Sequence, residues 1–388
     1  MRRRIRALLR HPVVRTLLFE RFLITASATL AFSALAMGRV HLSEVGSLMD
    51  WRILTLFLVL TVAVELGKAS DLFDRLVAVV IGRVRSMRGL AFAMIAVTAG
   101  LSAILTNDVT LFLVVPFTML FRGVEGVELH KLVAVEVLAA NLLGAVTPIG
   151  NPQNLFLFAR GGFSFGSFLE AQLPLIGVSA VLLAALVVFA IPRRLVTPPA
   201  TTAFDVDPVL AGGFFLLLAA EVGSLFGPLP YLVPLGMALP AALLLGRRLR
   251  EADFSIVLVF ALLFIGIPGL ERGRLYHHFD PARIFGHHAV GLLLSGALLS
   301  QLVSNVPAAF LLAPAVTGAL GFQGLLYGVT AGACGSPIGS IANLLGAQLY
   351  LAEGGKPRVF WRFFCGVSGV LLILLVASAA LILKLQGG

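Results

Sequence analysis

Polar residues in this chain come in short, widely spaced clusters, separated by apolar stretches that carry almost no charge. A helix needs about 17–25 apolar residues to cross the hydrocarbon layer of a bilayer. Stretches of that kind predict nine spans, near residues 22–38, 51–67, 132–159, 172–191, 209–225, 230–246, 253–269, 324–352 and 363–385. Two of them carry helix-breaking residues at mid-run, TPIGNPQN at 147–154 and SPIGSIAN at 336–343, so 132–159 and 324–352 predict broken helices. Two further apolar stretches, 89–121 and 289–318, are each interrupted by a polar triplet, TND at 106–108 and SNV at 304–306. The arms after the triplets, 109–121 and 306–318, have 13 residues each, and runs of about 10–14 re-enter a membrane more often than they span it. Both stretches therefore predict helical hairpins with tips near the midplane. Segment 68–87 is too charged to span and predicts a surface helix with one apolar side, a lever between the second span and the first hairpin.

The pattern occurs twice. MDWRILTLFLVL at 49–60 matches ADFSIVLVFALL at 252–263, LSAILTNDVTLFLVVP at 101–116 matches LSQLVSNVPAAFLLAP at 299–314, and TPIGNPQN matches SPIGSIAN. The offset falls from 203 to 198 to 189, so loop lengths alone distinguish the copies. The span at 51–67 runs inward and its counterpart at 253–269 outward, which makes the repeats inverted, although the span at 209–225 has no counterpart. The expected fold class is an all-α polytopic membrane protein with two inverted repeats, two re-entrant helical hairpins and two broken transmembrane helices. Its first repeat is 1–192, its linker 193–208, rich in Pro and Thr, and its second repeat 209–388. Inverted repeats with interrupted helices at matching positions point to alternating-access transport.

Composition agrees with this reading. The chain is 59% hydrophobic and 12% charged, against about 45–50% and about 25% in soluble domains. The net charge of +10 raises nucleic-acid binding, but basic residues clustered between spans fit retention of Lys and Arg on the cytoplasmic side. With the N-terminus inside, 22 of the 29 Lys and Arg are cytoplasmic; Arg39, Arg52, Arg160, Arg272, Arg274, Arg283 and Lys384 are outside. MRRRIRALLRH at the start has no convincing cleavage site after its apolar run and reads as a retained cytoplasmic segment. Cys334 and Cys365 give neither a disulfide framework nor a metal-ligand spacing.

The breaks carry the chemistry. Backbone groups freed in hydrocarbon must find partners, so a broken helix persists only where it lines a cavity or meets protein. Asn151 is suited to cap the second half-helix, with Pro152 in its first turn, and Ser340 takes the same place in the second copy. At the hairpin tips Thr106 or Asn107, and Ser304 or Asn305, can cap the outgoing arms. Four half-helix N-termini, each with roughly half a positive charge, then converge on an anion without Lys or Arg. Carbonyls at the unwound Gly150 and Gly339, with Asn side chains, offer oxygen ligands for Na⁺, near Asn107, Asn151, Asn305 and Ser340. The substrate and ion site comprises Thr106, Asn107, Asp108, Thr147, Pro148, Gly150, Asn151, Asn154, Ser304, Asn305, Val306, Ser336, Pro337, Gly339, Ser340 and Asn343. The alternative for any one motif is a proline kink in a structural helix.

These segments resemble the ion transporter superfamily, which includes divalent-anion:sodium symporters and the ArsB and NhaD permeases. They resemble in particular its YbiR-type inner-membrane transporters, on ILTNDVTLFLVVP, AVTPIGNPQN and LVSNVP. The resemblance implies a scaffold domain that forms a homodimer, a mobile transport domain and elevator-type movement in a bacterial inner membrane. In the dicarboxylate branch a Ser-Asn-Thr triplet at each tip binds substrate carboxylate and sodium. Here the triplets are Thr106-Asn107-Asp108 and Ser304-Asn305-Val306, so one hydroxyl is replaced by a carboxylate and the other by an alkyl group.

Asp108 is either a helix N-terminal carboxylate or a cation ligand or proton carrier. Glu65, Glu136 and Glu221 fall in or near spans; Glu136 suits a proton path or an interfacial place near Lys131. His277, His278, His287 and His288 flank the second hairpin as solvated loop residues or metal ligands. The leading function is secondary active transport of a small anion, driven by Na⁺ or H⁺, with no other cofactor and no nucleic acid. Na⁺/H⁺ antiport and arsenite-type metalloid efflux are the alternatives. No Walker pattern and no catalytic set is present, so an intramembrane enzyme is disfavoured.

Overall fold

The computed structural model describes residues 18–197, 204–273 and 285–387. Within them the regular elements are helical, and extended pairing is confined to one bridge between Ser86 and Leu195. The helices are α1 (Leu18–Ala36), α2 (Trp51–Ala69), α3 (Leu72–Gly82), α4 (Met87–Ile104), α5 (Asn107–Thr118), α6 (Leu129–Leu142), α7 (Pro152–Arg160) and α8 (Phe165–Ala190). After the linker come α9 (Pro208–Phe226), α10 (Leu232–Leu245), α11 (Ser255–Glu271), α12 (Ala289–Val303), α13 (Asn305–Leu312), α14 (Gly318–Gly332), α15 (Ile341–Ala352) and α16 (Pro357–Gly387). The N-terminal leader through residue 17, His277, His278, Arg274 and Arg283 lie outside the described residues.

Every predicted span coincides with a helix, and both predicted breaks and both polar triplets fall at helix interruptions. Local chemistry moves some ends. α8 starts at Phe165 rather than near 172 because Ser164 and Ser167 form a capping box: each hydroxyl accepts the other residue's N–H, at 3.1 and 2.9 Å. Among the described residues, six helices are long and apolar enough to cross a membrane, or seven if Leu42–Leu48 and Trp51–Ala69, bent by 68°, form one span. Nine were expected. The shortfall arises at broken or short elements such as α11, with 17 residues, and the pair α14 and α15. Conversely α4, expected as a hairpin arm, reaches 18 residues and passes the same test. In α3, Phe73, Val77 and Ile81, four residues apart, are buried while Leu76 and Val79 are exposed, the one-sided pattern expected of an amphipathic helix.

The chain folds into two compact units, and each draws on both halves of the sequence. One contains residues 18–76 and 204–273. Its centre is α2, which packs against α9, α10 and α11, while α1 lies along α11. Phe57 and Phe260 meet at 4.7 Å between ring centroids, and Phe73 meets Phe214 edge-on at 5.2 Å over Gly67. Polar ends are tied down: Asp50 caps α2, and Arg52 donates to the carbonyls of Ser224 and Leu225 at the end of α9. Arg272 pairs with Glu44 at 2.6 Å and holds that carboxyl below its usual range, chiefly through the hydrogen bond.

The other unit contains residues 77–197 and 285–387. Its centre is α6, continuously buried from Leu132 to Leu142 and surrounded by α4, α5, α8, α15 and α16. α12 lies along α14. The arms cross over between the halves: α5 packs on α15, and α13 packs on α7, where Phe156 and Phe310 stack at 3.7 Å.

Candidate functional site

The two polar triplets and the two helix breaks meet in the unit centred on α6. At the first tip the N–H of Asn107 donates to the carbonyl of Gly150, at 2.9 Å; at the second the N–H of Asn305 donates to the carbonyl of Gly339, at 3.1 Å. The turns at the breaks also match, with Gly150 N–H on Thr147 Oγ1 and Gly339 N–H on Ser336 Oγ, each at 3.2 Å. These approaches require glycine. A Cβ on Gly150 would lie 1.9 Å from the Gly144 carbonyl oxygen, and one on Gly339 2.5 Å from that of Gly332.

The two halves are joined by Asn141, a residue of α6 outside both motifs. Its Oδ1 accepts from Asn107 Nδ2 at 3.1 Å and from Ser340 Oγ at 2.8 Å, and its Nδ2 donates to Asn343 Oδ1 at 3.0 Å. Asn151 Nδ2 donates to the Asn141 carbonyl at 2.9 Å. All five of these residues are buried. An unbroken hydrogen-bonded path thus runs from the first tip through both breaks, and Gly339 carries it to the second tip. A buried amide left unpaired costs about 1–3 kcal/mol, so a cluster this closely satisfied fixes the position of each half-helix. Motif reading misses Asn141; its signal is a lone amide in the apolar run VEVLAANLLGAV.

The predicted capping holds in part. Thr106 Oγ1 accepts from the N–H of Val109, and Ser340 Oγ from that of Ala342. Asn151 occupies the N-cap position of α7 but makes no capping bond, because its side chain serves Asn141 instead. Ser304 likewise makes none; it sits at φ 74° in the left-handed region, and its hydroxyl faces Asn305 Oδ1 at 3.4 Å. The carbonyls of Gly150 and Gly339, expected as cation ligands, each accept one N–H, from Asn107 and Asn305. Within the cluster itself, Asn151 Oδ1, Asn154 Oδ1 and Asn305 Nδ2 are buried without a hydrogen-bond partner.

The remaining candidates frame this cluster. Thr147 Oγ1 donates to the Ala103 carbonyl at 2.5 Å, Asn154 Nδ2 to that of Ala145 at 3.2 Å, and Asn343 Nδ2 to those of Ala333 and Ser336. Pro148 and Val306 are buried; Ser336, Pro337 and Asp108 are half-buried, Asp108 in the first turn of α5. Glu65 pairs with Lys68 at 2.7 Å. Lys131 pairs with Glu128 at 2.9 Å and donates to the Ala190 carbonyl rather than meeting Glu136. Glu136 is wholly buried. No group of three His, Cys, Asp or Glu suited to a metal gathers among the described residues.

Many apolar helices around a buried centre of amide and hydroxyl groups define the class: a multi-pass α-helical membrane protein. Residues 16–332 match the citrate transporter family, and the chain belongs to that family, within the ion transporter superfamily. It is 33% identical over 332 residues to inner membrane protein YbiR of Escherichia coli, covering 81% of this chain and 82% of that protein. An uncharacterized transporter of Methanocaldococcus jannaschii is 28% identical, covering 93% and 98%. A 46 kDa membrane protein of Mycobacterium leprae is 24% identical, covering 81% of each. Family and relatives together make this a transport protein rather than an enzyme.

Proposed function

We propose that the chain is a secondary active transporter that moves a small anion, a carboxylate or an inorganic oxyanion, across the bacterial inner membrane in exchange for the free energy of a Na⁺ or H⁺ gradient. The observation that carries this reading is the bonded path from Asn107 through Asn141 to Ser340 and Asn343, which joins the N-termini of α5 and α15, with Asn151 tying that of α7 to Asn141 and Asn305 tying that of α13 to Gly339. Their amide dipoles favour an anion. Asn305 Nδ2 supplies a donor, and Asn151 Oδ1 and Asn154 Oδ1 supply hard oxygens for a coupling cation.

The twofold recurrence of the tip-to-break bond supports inverted repeats, with α4–α5 and α12–α13 as re-entrant hairpins. In an elevator-type cycle the unit holding the cluster is the mobile one, and the unit around α2 is the stationary scaffold and homodimer surface. The family's name makes citrate the first substrate to try.

The test is a thermal-shift screen of purified protein against citrate, succinate, sulfate, phosphate and arsenite, with and without Na⁺, followed by uptake into proteoliposomes. Ligand that binds the native state raises the unfolding temperature by mass action. Stabilisation by an anion, enhanced by Na⁺ or by a pH gradient in uptake, is expected. Stabilisation by arsenite alone, or Na⁺/H⁺ exchange with no anion, would replace the anion reading with efflux or antiport.

A further inference from the structure

Glu136 lies five residues before Asn141 on α6, an axial distance of about 7.5 Å, and takes no part in the asparagine cluster. Its Oε1 accepts a hydrogen bond from the hydroxyl of Thr118 at the end of α5, and its Oε2 is buried without a hydrogen-bond partner. The charged groups and the tyrosines on α6 and on the helices packed around it are bonded elsewhere or exposed: His130 of α6 lies edge-on to Phe363, and Arg358 and Lys384 of α16 are exposed. Arg88 of α4 donates to the carbonyls of Val188 and Ile191, and Lys131 to Glu128 and Ala190. The hydroxyl of Tyr327 on α14 donates to the Ala171 carbonyl, and that of Tyr350 on α15 accepts from the N–H of Lys356. Glu170 of α8 and Arg362 of α16 are exposed, and Asp108 sits at the opposite end of α5. Glu136 makes no ion pair within 4.0 Å among the described residues.

A buried carboxylate with no cation is strongly unfavourable, and only a bound positive charge removes that cost without unfolding the site. Thr118 adds the hydroxyl oxygen that hard monovalent cations accept as a ligand, and it also serves a protonated carboxyl. α5 is held to α6 at two places, by Asn107 on Asn141 and by Thr118 on Glu136. A charge arriving at Glu136 therefore acts on one of the two ties of the hairpin arm that carries the first tip.

We propose that Glu136 and Thr118 form a cation-accepting site, separate from the asparagine cluster, that takes up one positive charge as H⁺ or Na⁺. As a carrier of the coupling ion it rests on the transport reading above; as a cation site it does not. The experiment is infrared difference spectroscopy on purified protein, stepping pH at fixed Na⁺ and then Na⁺ at fixed pH. Wild type, Glu136→Gln and Thr118→Val are compared, with thermal unfolding as the check on folding.

The wild type is expected to show a carboxyl difference band that Glu136→Gln lacks and that Thr118→Val shifts in frequency. The pH step reveals it if the charge is a proton, and the Na⁺ step if it is sodium. Identical spectra for wild type and Glu136→Gln in both steps would overturn the site. If Glu136→Gln does not fold, an unshifted band in Thr118→Val overturns it. Citrate-dependent thermal stabilisation, measured on the same samples, distinguishes the two failures: stabilisation without the band sinks this site alone, and the band without stabilisation by any anion sinks the transport reading alone.

Discussion

Asn141 is the residue on which the two breaks depend, and its amide has no spare valence: two bonds accepted at Oδ1, and donations to Asn343 and to the Val137 carbonyl at Nδ2. Asn141→Leu, close in size, strands Asn107, Ser340 and Asn343 at about 1–3 kcal/mol for each buried group left unpaired. The variant is expected to unfold at a clearly lower temperature and to lose anion-dependent stabilisation in the thermal-shift assay; wild-type values for both would remove Asn141 from the site. Asp108 sits in the first turn of the same arm, and Asp108→Asn is expected to abolish the coupling-ion dependence of uptake, measured across Na⁺ and pH gradients in proteoliposomes. At this scale the sequence was a good guide wherever a polar residue broke an apolar run, as at Asn107, Ser340 and Asn343. It was a poor one for Asn141 and for the role of Asn151, because whether an amide caps its own helix or reaches a neighbour is decided by packing that no local pattern encodes.

Among the elements, the breaks are the ones a single methyl group can disrupt. Gly150→Ala forces a Cβ within 1.9 Å of a backbone oxygen, and Gly339→Ala within 2.5 Å. Backbone cannot swing aside as a side chain does, so each is expected to destabilise by about 1–3 kcal/mol or more, with Gly150→Ala the worse of the two in thermal unfolding. The bond between Arg272, just after α11, and Glu44 makes a pH-dependent contribution of known sign. Because the carboxyl titrates below its ordinary range, the contribution is present above that range and disappears as pH falls through the lowered value. Glu44→Gln should remove that acid-side dependence, which added salt should also weaken in the wild type. Helix positions and interruptions were legible from apolar length and from proline and glycine; helix ends such as that of α8 were not, since a Ser-Ser capping box carries little signal in a run of phenylalanines and glycines.

For the molecule as a whole, the units do not follow the order of the chain, and this was the part least open to sequence reasoning. The repeats could be aligned by eye, yet the crossing of α5 onto α15 and of α13 onto α7 is a property of three dimensions. The excess of Lys and Arg on one set of loops predicts a cytoplasmic N-terminus and an external C-terminus. An N-terminal fluorescent fusion should glow and a C-terminal alkaline phosphatase fusion should be active; the reverse pair would invert the topology. The hydrogen bond between Asn141 and Asn343 joins residues 202 positions apart. At about 5–20 residues per second of synthesis, the ribosome reaches the second of them about 10–40 s after the first. Throughout that interval the amide of α6 has been inserted without its final partner, so the nascent first half must keep it wet or lend it a temporary bond, and a ribosome stalled before α15 leaves behind a chain that no amount of waiting can complete.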